Sequence, residues 1–272
     1  MAIPLVISGC CGRMGLRIAA LALADHGVRI AGALEHTGHP QLGRDLSAVL
    51  GCPALGVTIT DQAQKAITKG RVVIEFTTPE ATLAHLALAE RAGAGMVIGT
   101  TGLDSAQRDR IAAASRRIPV VFSPNMSLGV NLLFELVELA ARQLDPSYDI
   151  EIVEAHHRMK KDAPSGTAKR LAEAAAEGRA TAVERIPVHA IRAGEIVGDH
   201  TVIFAGPSER LELVHRAQSR DAFAAGALRA ARFAHSRVPG LYTMSDVLKP
   251  KERAPRQIAR SSRAGARPRS RR

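Results

Sequence analysis

The sequence predicts an α/β protein in two parts: a first half with a parallel sheet, then an α+β half with an open mixed sheet. Three observations predict it. An apolar strand at residues 3–8 runs through a glycine-rich turn into a helix-forming stretch at 16–24. Apolar strand-like runs then alternate with helical ones as far as Phe122. After residue 190 three strand-like runs, 191–198, 200–204 and 209–215, follow one another across Gly, Asp and Pro turns, which reads as a meander.

The first strand leads into Gly9-Cys10-Cys11-Gly12-Arg13-Met14-Gly15. Strand, glycine turn and helix in this order are the dinucleotide-binding (Rossmann) arrangement, which makes Gly9 to Met14 candidate cofactor contacts. The spacing is Gly-x-x-Gly-x-x-Gly, so Cys11 stands where the usual pattern has its middle glycine. The two cysteines read as small residues of a tight turn, not as a redox pair. A second strand, 29–34, ends at Glu35, where an acid would hold the adenosine ribose hydroxyls. His36 follows. A neutral imidazole brings a hydrogen bond but no charge, whereas an arginine there would grip a 2′-phosphate bidentately. NADH is therefore expected to be accepted at least as well as NADPH.

The stretch from Arg71 is a buried strand running to a helix start at Pro79. Met96–Ile98 is the next strand and delivers Gly99-Thr100-Thr101-Gly102. Pro119–Phe122 delivers Ser123-Pro124-Asn125-Met126. Small hydroxylated residues and glycines let backbone approach a flat ring. Residues 128–144 carry Leu132, Leu133, Leu136, Val137 and Leu139 at helical spacing and read as the crossing into the second half.

Residues 149–155 form a strand, because Ile150 and Ile152 alternate with Glu151. From Ala168 strong helix formers take over, with Pro164 just upstream. Between them lie His156, His157, Arg158, Lys160 and Lys161. Ser165-Gly166-Thr167 fall where the helix begins, and free N–H groups at a helix start suit a carboxylate or phosphate. The stretch reads as an anion-binding catalytic loop; a solvated basic loop is the competing reading. A zinc site is not expected. Adjacent histidines on a strand face opposite ways, and none of Cys10, Cys11 or Cys52 has a Cys-x-x-Cys partner.

Composition limits the function classes. Aromatics are 3% with no Trp, so stacking platforms for single-stranded nucleic acid are not evident. No apolar run reaches the roughly 20 residues of a membrane span. The opening residues lack the basic region and cleavage site of a signal peptide, and three cysteines make no disulfide framework, so a cytoplasmic protein is expected. The net charge of +11 is local: residues 251–272 hold nine Lys/Arg against one acid, leaving only +3 for the first 250 residues. That tail is expected to be disordered, and nucleic acid is a candidate partner only through it.

The string Glu154-Ala155-His156-His157-Arg158-x-Lys160-x-Asp162-Ala163-Pro164-Ser165-Gly166-Thr167-Ala168 resembles the signature of the dihydrodipicolinate reductases, nicotinamide-dependent enzymes of bacterial lysine and diaminopimelate synthesis. Gly12-Arg13-Met14-Gly15, Phe76-Thr77-x-Pro79-Glu80 and the closing segment 238–248 extend the resemblance over residues 3–248. Departures are Glu75 for the usual Asp, Met126 where relatives often have Phe, and His36 where NADPH-using relatives often have Arg.

The resemblance implies a hydride transfer from NADH or NADPH to a cyclic unsaturated dicarboxylate. It implies His156 as proton donor or acceptor, and Lys160 as proton donor and charge partner. His157, Gly166 and Thr167 would hold the substrate carboxylates with Lys160. Gly99, Thr100 and Thr101 would meet the nicotinamide ribose, while Ser123, Pro124, Asn125 and Met126 would line the nicotinamide pocket. Arg158 and Arg192 become supporting charges. Further expectations are a homotetramer and a cofactor domain over 1–127, completed by 238–250. A substrate and oligomerisation domain would span 128–237, with hinges near 127–130 and 236–240. The rivals are another amino-acid-pathway dehydrogenase of this architecture, and a reductase-derived protein that uses its tail on nucleic acid.

Overall fold

The computed structural model describes residues 1–249. The expected basic tail at 251–272 and its nucleic-acid reading lie outside the described residues. In chain order the strands are β1 Ile3–Ser8, β2 Val28–Leu34, β3 Ile59–Thr60, β4 Val72–Glu75, β5 Gly95–Ile98, β6 Pro119–Phe122, β7 Asp149–His156, β8 Val188–Arg192, β9 Asp199–Ala205, β10 Arg210–Arg216 and β11 Gly240–Tyr242. The helices are α1 Arg13–Leu23, α2 Ser47–Leu50, α3 Ala63–Ala66, α4 Pro79–Ala92, α5 Ser105–Ser115, α6 Leu128–Gln143, α7 Gly166–Arg179, α8 Asp221–His235 and α9 Met244–Leu248.

Seven strands form one sheet in the order β11-β6-β5-β4-β1-β2-β3, and every pairing in it is parallel. Its central strands β4 and β5 are buried at every position, as strands covered by helices on both faces must be. The helices that cover them start at residues suited to the task. Thr78 caps α4 with Pro79 in its first turn, and Asp104 with Gln107 makes a capping box on α5.

The second sheet has the order β10-β9-β7-β8 and is mixed: β7 pairs parallel with β8 but antiparallel with β9. Its burial alternates along β7, with Ile150, Ile152, Glu154 and His156 on the covered face. Helices α6 and α7 supply that cover, and Val137, Leu171, Ile152, Val202 and Phe204 share one core cluster.

Three expectations are corrected. The expected meander is not formed: only β9 and β10 make a hairpin, while β8 lies on the far side of β7 as the end of a β7–α7–β8 crossover. The strand expected at 191–198 ends instead at Arg192. The next residues fold over the central loop, with the Ala193 N–H on the His156 carbonyl and the Arg158 N–H on that of Gly194. The third correction concerns α8, expected within the substrate part. It packs on the seven-stranded sheet, where Ala224, Ala227, Ala230, Ala231 and Ala234 are fully buried among β1 and β4 side chains. Its alanines let the helix lie close to the sheet, and an Arg17–Asp221 ion pair of 2.5 Å ties it to α1. In the closing segment β11 extends the seven-stranded sheet by pairing with β6.

Candidate active site

Two clefts hold most of the residues singled out in the sequence. The first, about 570 Å³, lies at the carboxyl ends of β1, β2 and β4, with Gly9, Cys11, Gly12, Glu35 and His36 on its wall. Gly9 takes a left-handed φ of +69°, and a Cβ on Gly15 would fall 2.0 Å from the Gly9 carbonyl oxygen. Turn and helix therefore touch through backbone, which only glycine allows. Arg13 and Met14 open α1, whose first-turn N–H groups have no acceptor within the helix. Glu35 is already aimed: its Oε2 accepts the Cys11 N–H and its Oε1 the His36 N–H, both at 3.1 Å.

Not every turn residue reaches this cleft. Cys10 is fully buried, its N–H donates to the Leu34 carbonyl at 3.0 Å, and burial raises its thiol well above the ordinary range. It offers the cleft neither thiol nor N–H. His36 is exposed, and its Nδ1 donates to the Thr37 carbonyl at 3.0 Å. In the neutral ring this leaves Nε2 an acceptor. Cys10–Cys11–Glu35 and Glu35–His36–His39 each lie close enough to share an ion, but both sets draw on the Glu35 carboxylate that the two N–H groups already engage.

The second cleft, about 780 Å³, runs between the two sheets. Thr101, Ser123, Pro124 and Asn125 come to it from loops of the first sheet, and His156, Lys160, Gly166 and Thr167 from the second. One hydrogen bond crosses it, from Asn125 Nδ2 to Thr167 Oγ1 at 3.0 Å. Ser165 caps α7 by accepting the Ala168 N–H at 3.1 Å, so the helix opens onto this cleft at Gly166 and Thr167. Lys160 is paired with Asp162 at 2.8 Å.

Besides Cys10, Arg13 and Met14, four more sequence candidates stand apart from the two walls. Gly99 packs under the Phe76 ring, where a Cβ would meet ring carbons at 2.3 Å. Thr100 is buried, with its hydroxyl 2.8 Å from that of Thr82. Met126 is buried in the core, and His157 is partly buried with its carbonyl accepting the Lys160 N–H.

His156 is 8% exposed and its Nδ1 lies 2.5 Å from Glu154 Oε2. Burial lowers its pKa below the ordinary imidazole value, and the Lys160 and Arg192 charges act in the same direction against Glu154. Glu154 is fully buried and accepts from both terminal nitrogens of the Arg192 guanidinium, Nη1 and Nη2, at 2.8 Å. Burial alone would raise the Glu154 carboxyl, but hydrogen bonds from Arg192, His156 and the Ser165 N–H outweigh it and hold it below the usual range. Beneath this group His200 stands edge-on to His156 at 5.2 Å between ring centres. Burial first, then the neighbouring His156 and His215, push His200 down to about 4.

The sequence reading missed Glu154, His200 and His215, although strand parity signalled two of them. Glu154 shares its parity with Ile150 and Ile152, and His200 shares its with Val202 and Phe204, so both were bound for the covered face. On the first sheet Glu75 is likewise buried, with Ser8 Oγ donating to it at 3.1 Å and His85 Nδ1 2.8 Å away.

A parallel sheet with a glycine cradle, joined to a mixed-sheet domain whose cationic cleft opens beside it, is the architecture of a two-domain dinucleotide-binding oxidoreductase. Family models described as dihydrodipicolinate reductase, N-terminus and C-terminus, match residues 3–126 and 129–248. The 4-hydroxy-tetrahydrodipicolinate reductase of Thiobacillus denitrificans is 48% identical over 265 residues, covering 91% of this chain and 99% of the relative. That of Anaeromyxobacter dehalogenans is 46% identical over 260 residues, covering 89% and 96%. Among solved structures, a dipicolinate-bound dihydrodipicolinate reductase from a Paenisporosarcina species aligns with a TM-score of 0.76 at 25% identity, covering 89% of this chain and 98% of that one. The chain belongs to the dihydrodipicolinate reductase family. It is an oxidoreductase with a nicotinamide-type cofactor domain, and among the described residues no helix is long and apolar enough to cross a membrane.

Proposed function

We propose that the protein reduces 4-hydroxy-tetrahydrodipicolinate to tetrahydrodipicolinate in lysine and diaminopimelate synthesis, in the cytoplasm. The observation that carries this reading is the cleft between the sheets. It sets an imidazole, an ammonium group and a helix N-terminus beside a loop of the cofactor-type sheet. That set suits a small dianion that must be protonated as it is reduced.

The glycine cradle fits a dinucleotide, because a Cβ on Gly15 would collide with the turn and Glu35 is held ready at the cleft wall. Gly9, Cys11, Gly12 and the N–H groups of Arg13 and Met14 would hold the pyrophosphate, Glu35 the adenosine ribose, and Thr101 with Ser123, Pro124 and Asn125 the nicotinamide end. When bound, the nicotinamide supplies the hydride. His156 moves a proton at Nε2, and its lowered pKa keeps the free ring neutral near pH 7. Lys160 exchanges Asp162 for a substrate carboxylate and offsets charge on the ring. The N–H groups of Gly166 and Thr167 hold the second carboxylate at the start of α7. His157 stands one residue behind, its carbonyl fixing the Lys160 turn.

The parts would move as two bodies. With α8 packed on the first sheet, the substrate domain runs from about residue 128 to 217, and the second hinge falls near 217–220 instead of 236–240. The exposed side of the mixed sheet presents Ile191 and Val214, which suits burial in a homotetramer.

The test is oxidation of NADH and NADPH by purified protein, with substrate generated from pyruvate and aspartate semialdehyde by the preceding synthase. Rapid oxidation is expected. Folded protein that binds either cofactor yet oxidises neither would overturn the reading.

A further inference from the structure

We infer that Glu154 is a positioning residue for this reaction: one buried carboxylate fixes which imidazole nitrogen of His156 serves the cleft and anchors the first turn of α7. The inference rests on the role proposed for His156. A fully buried carboxylate is costly unless its oxygens are filled. Here Oε1 accepts from Arg192 Nη2 at 2.8 Å and from the Ser165 N–H at 3.0 Å, and Oε2 accepts from Arg192 Nη1 at 2.8 Å and from His156 Nδ1 at 2.5 Å. A carboxylate held ionised by a guanidinium only accepts. His156 Nδ1 therefore carries a hydrogen in both the neutral and the charged ring, and the proton that comes and goes is the one on Nε2.

Nε2 is free to do this. It has no hydrogen-bond partner among the described residues, and a Cβ on Gly198 would stand 3.0 Å from it, so glycine keeps the space beside it clear. The groups that face Glu154 come from every side: His156 on its own strand, Arg192 from β8, His200 opposite in register on β9, and Ser165 at the start of α7. Lys160 and Asp162 complete the surrounding charge from the loop. The Ser165 bond adds a second consequence. The same carboxylate that orients the imidazole holds the residue that caps α7, so proton carrier and carboxylate-binding turn are placed relative to each other by one side chain.

The experiment uses the full chain. In ¹⁵N-histidine spectra, with the His156 signals assigned by their loss in H156Q, the wild type should show the Nδ1–H tautomer, and E154Q should admit the Nε2–H form. E154Q should lose roughly 10²-fold in kcat, and E154D should recover part of it. The limb of the pH–rate profile that reports His156 should move to lower pH, because the carboxylate that favours its protonated form is gone. In an H156Q background the same change should cost no more than a few-fold. A wild-type Nε2–H tautomer would overturn the inference, even if E154Q failed to fold. So would native kcat and pH profile in E154Q, or an equal loss in the H156Q background. Native kcat in H156Q would instead overturn the role of His156, while the tautomer spectra still decide what Glu154 holds.

Discussion

Asn125 and Thr167 meet side chain to side chain across the cleft, 42 positions apart in sequence, with Asn125 Nδ2 donating to Thr167 Oγ1 at 3.0 Å. Each end is held by its own element. Asn125 Oδ1 accepts the Ser127 N–H at 2.9 Å at the start of α6, and Thr167 lies in the first turn of α7. The bond therefore sets the loop from β6 against the start of α7. Asn125→Ala should lower kcat/KM for the dicarboxylate by about 5-fold, shared between a higher KM and a lower kcat, the worth of roughly 1 kcal/mol of hydrogen bonding. The dissociation constant for NADH should change less. Steady-state kinetics beside a cofactor titration checks this, and an effect confined to cofactor affinity would count against the bridging role.

His156→Gln should reduce kcat by roughly 10²–10⁴-fold, the usual span of a lost general acid or base. Fluorescence titration should find cofactor affinity unaltered, since His156 sits on the second sheet. Lys160→Ala should differ in kind: KM for the dicarboxylate rises as kcat falls, because the same ammonium group both binds and offsets charge.

These sites were legible in the sequence to different depths. The glycine turn, Glu35 and the Ser165-Gly166-Thr167 helix start could be read because each depends on neighbours in the chain. The order of the second sheet could not. Three strand-like runs in succession suggest a meander, and only the return of β8 beside β7 through the α7 crossover shows otherwise. Helix α8 was misplaced for a similar reason. An alanine-rich face fits against any close partner, and nothing in residues 221–235 says which sheet that is. His200 and Glu154 lie 46 positions apart and face each other only through strand register, which sequence alone leaves open.

Acid should unfold the protein in a window set by its buried imidazoles. His200 is held at about 4 against an ordinary 6.5, so the unfolded chain takes up its proton first as pH falls. Stability is complete above pH 6.5 and is lost on the way down towards 4, by roughly 3 kcal/mol for this group alone. His156 and His215, also lowered chiefly by burial, add losses of the same sign. Urea unfolding at pH 7 and pH 5 should show the fall, and His200→Gln should make it shallower. An equally steep fall in the variant would assign the acid sensitivity elsewhere.

Cofactor preference should turn on His36. Its Nδ1 is spent on the Thr37 carbonyl, so the neutral ring turns an acceptor nitrogen outward, and a phosphate finds neither a charge nor a donor there. NADH should therefore serve at least as well as NADPH at pH 8. His36→Arg should lower KM for NADPH by roughly 10-fold, through a charge-assisted pair with the 2′-phosphate. KM for NADH should stay within about 2-fold, because Glu35 and its two N–H partners are untouched. Initial rates of the wild type and the His36→Arg variant with both cofactors at pH 8 test both statements, and a wild-type KM for NADPH far below that for NADH would mean that another cation reads the phosphate.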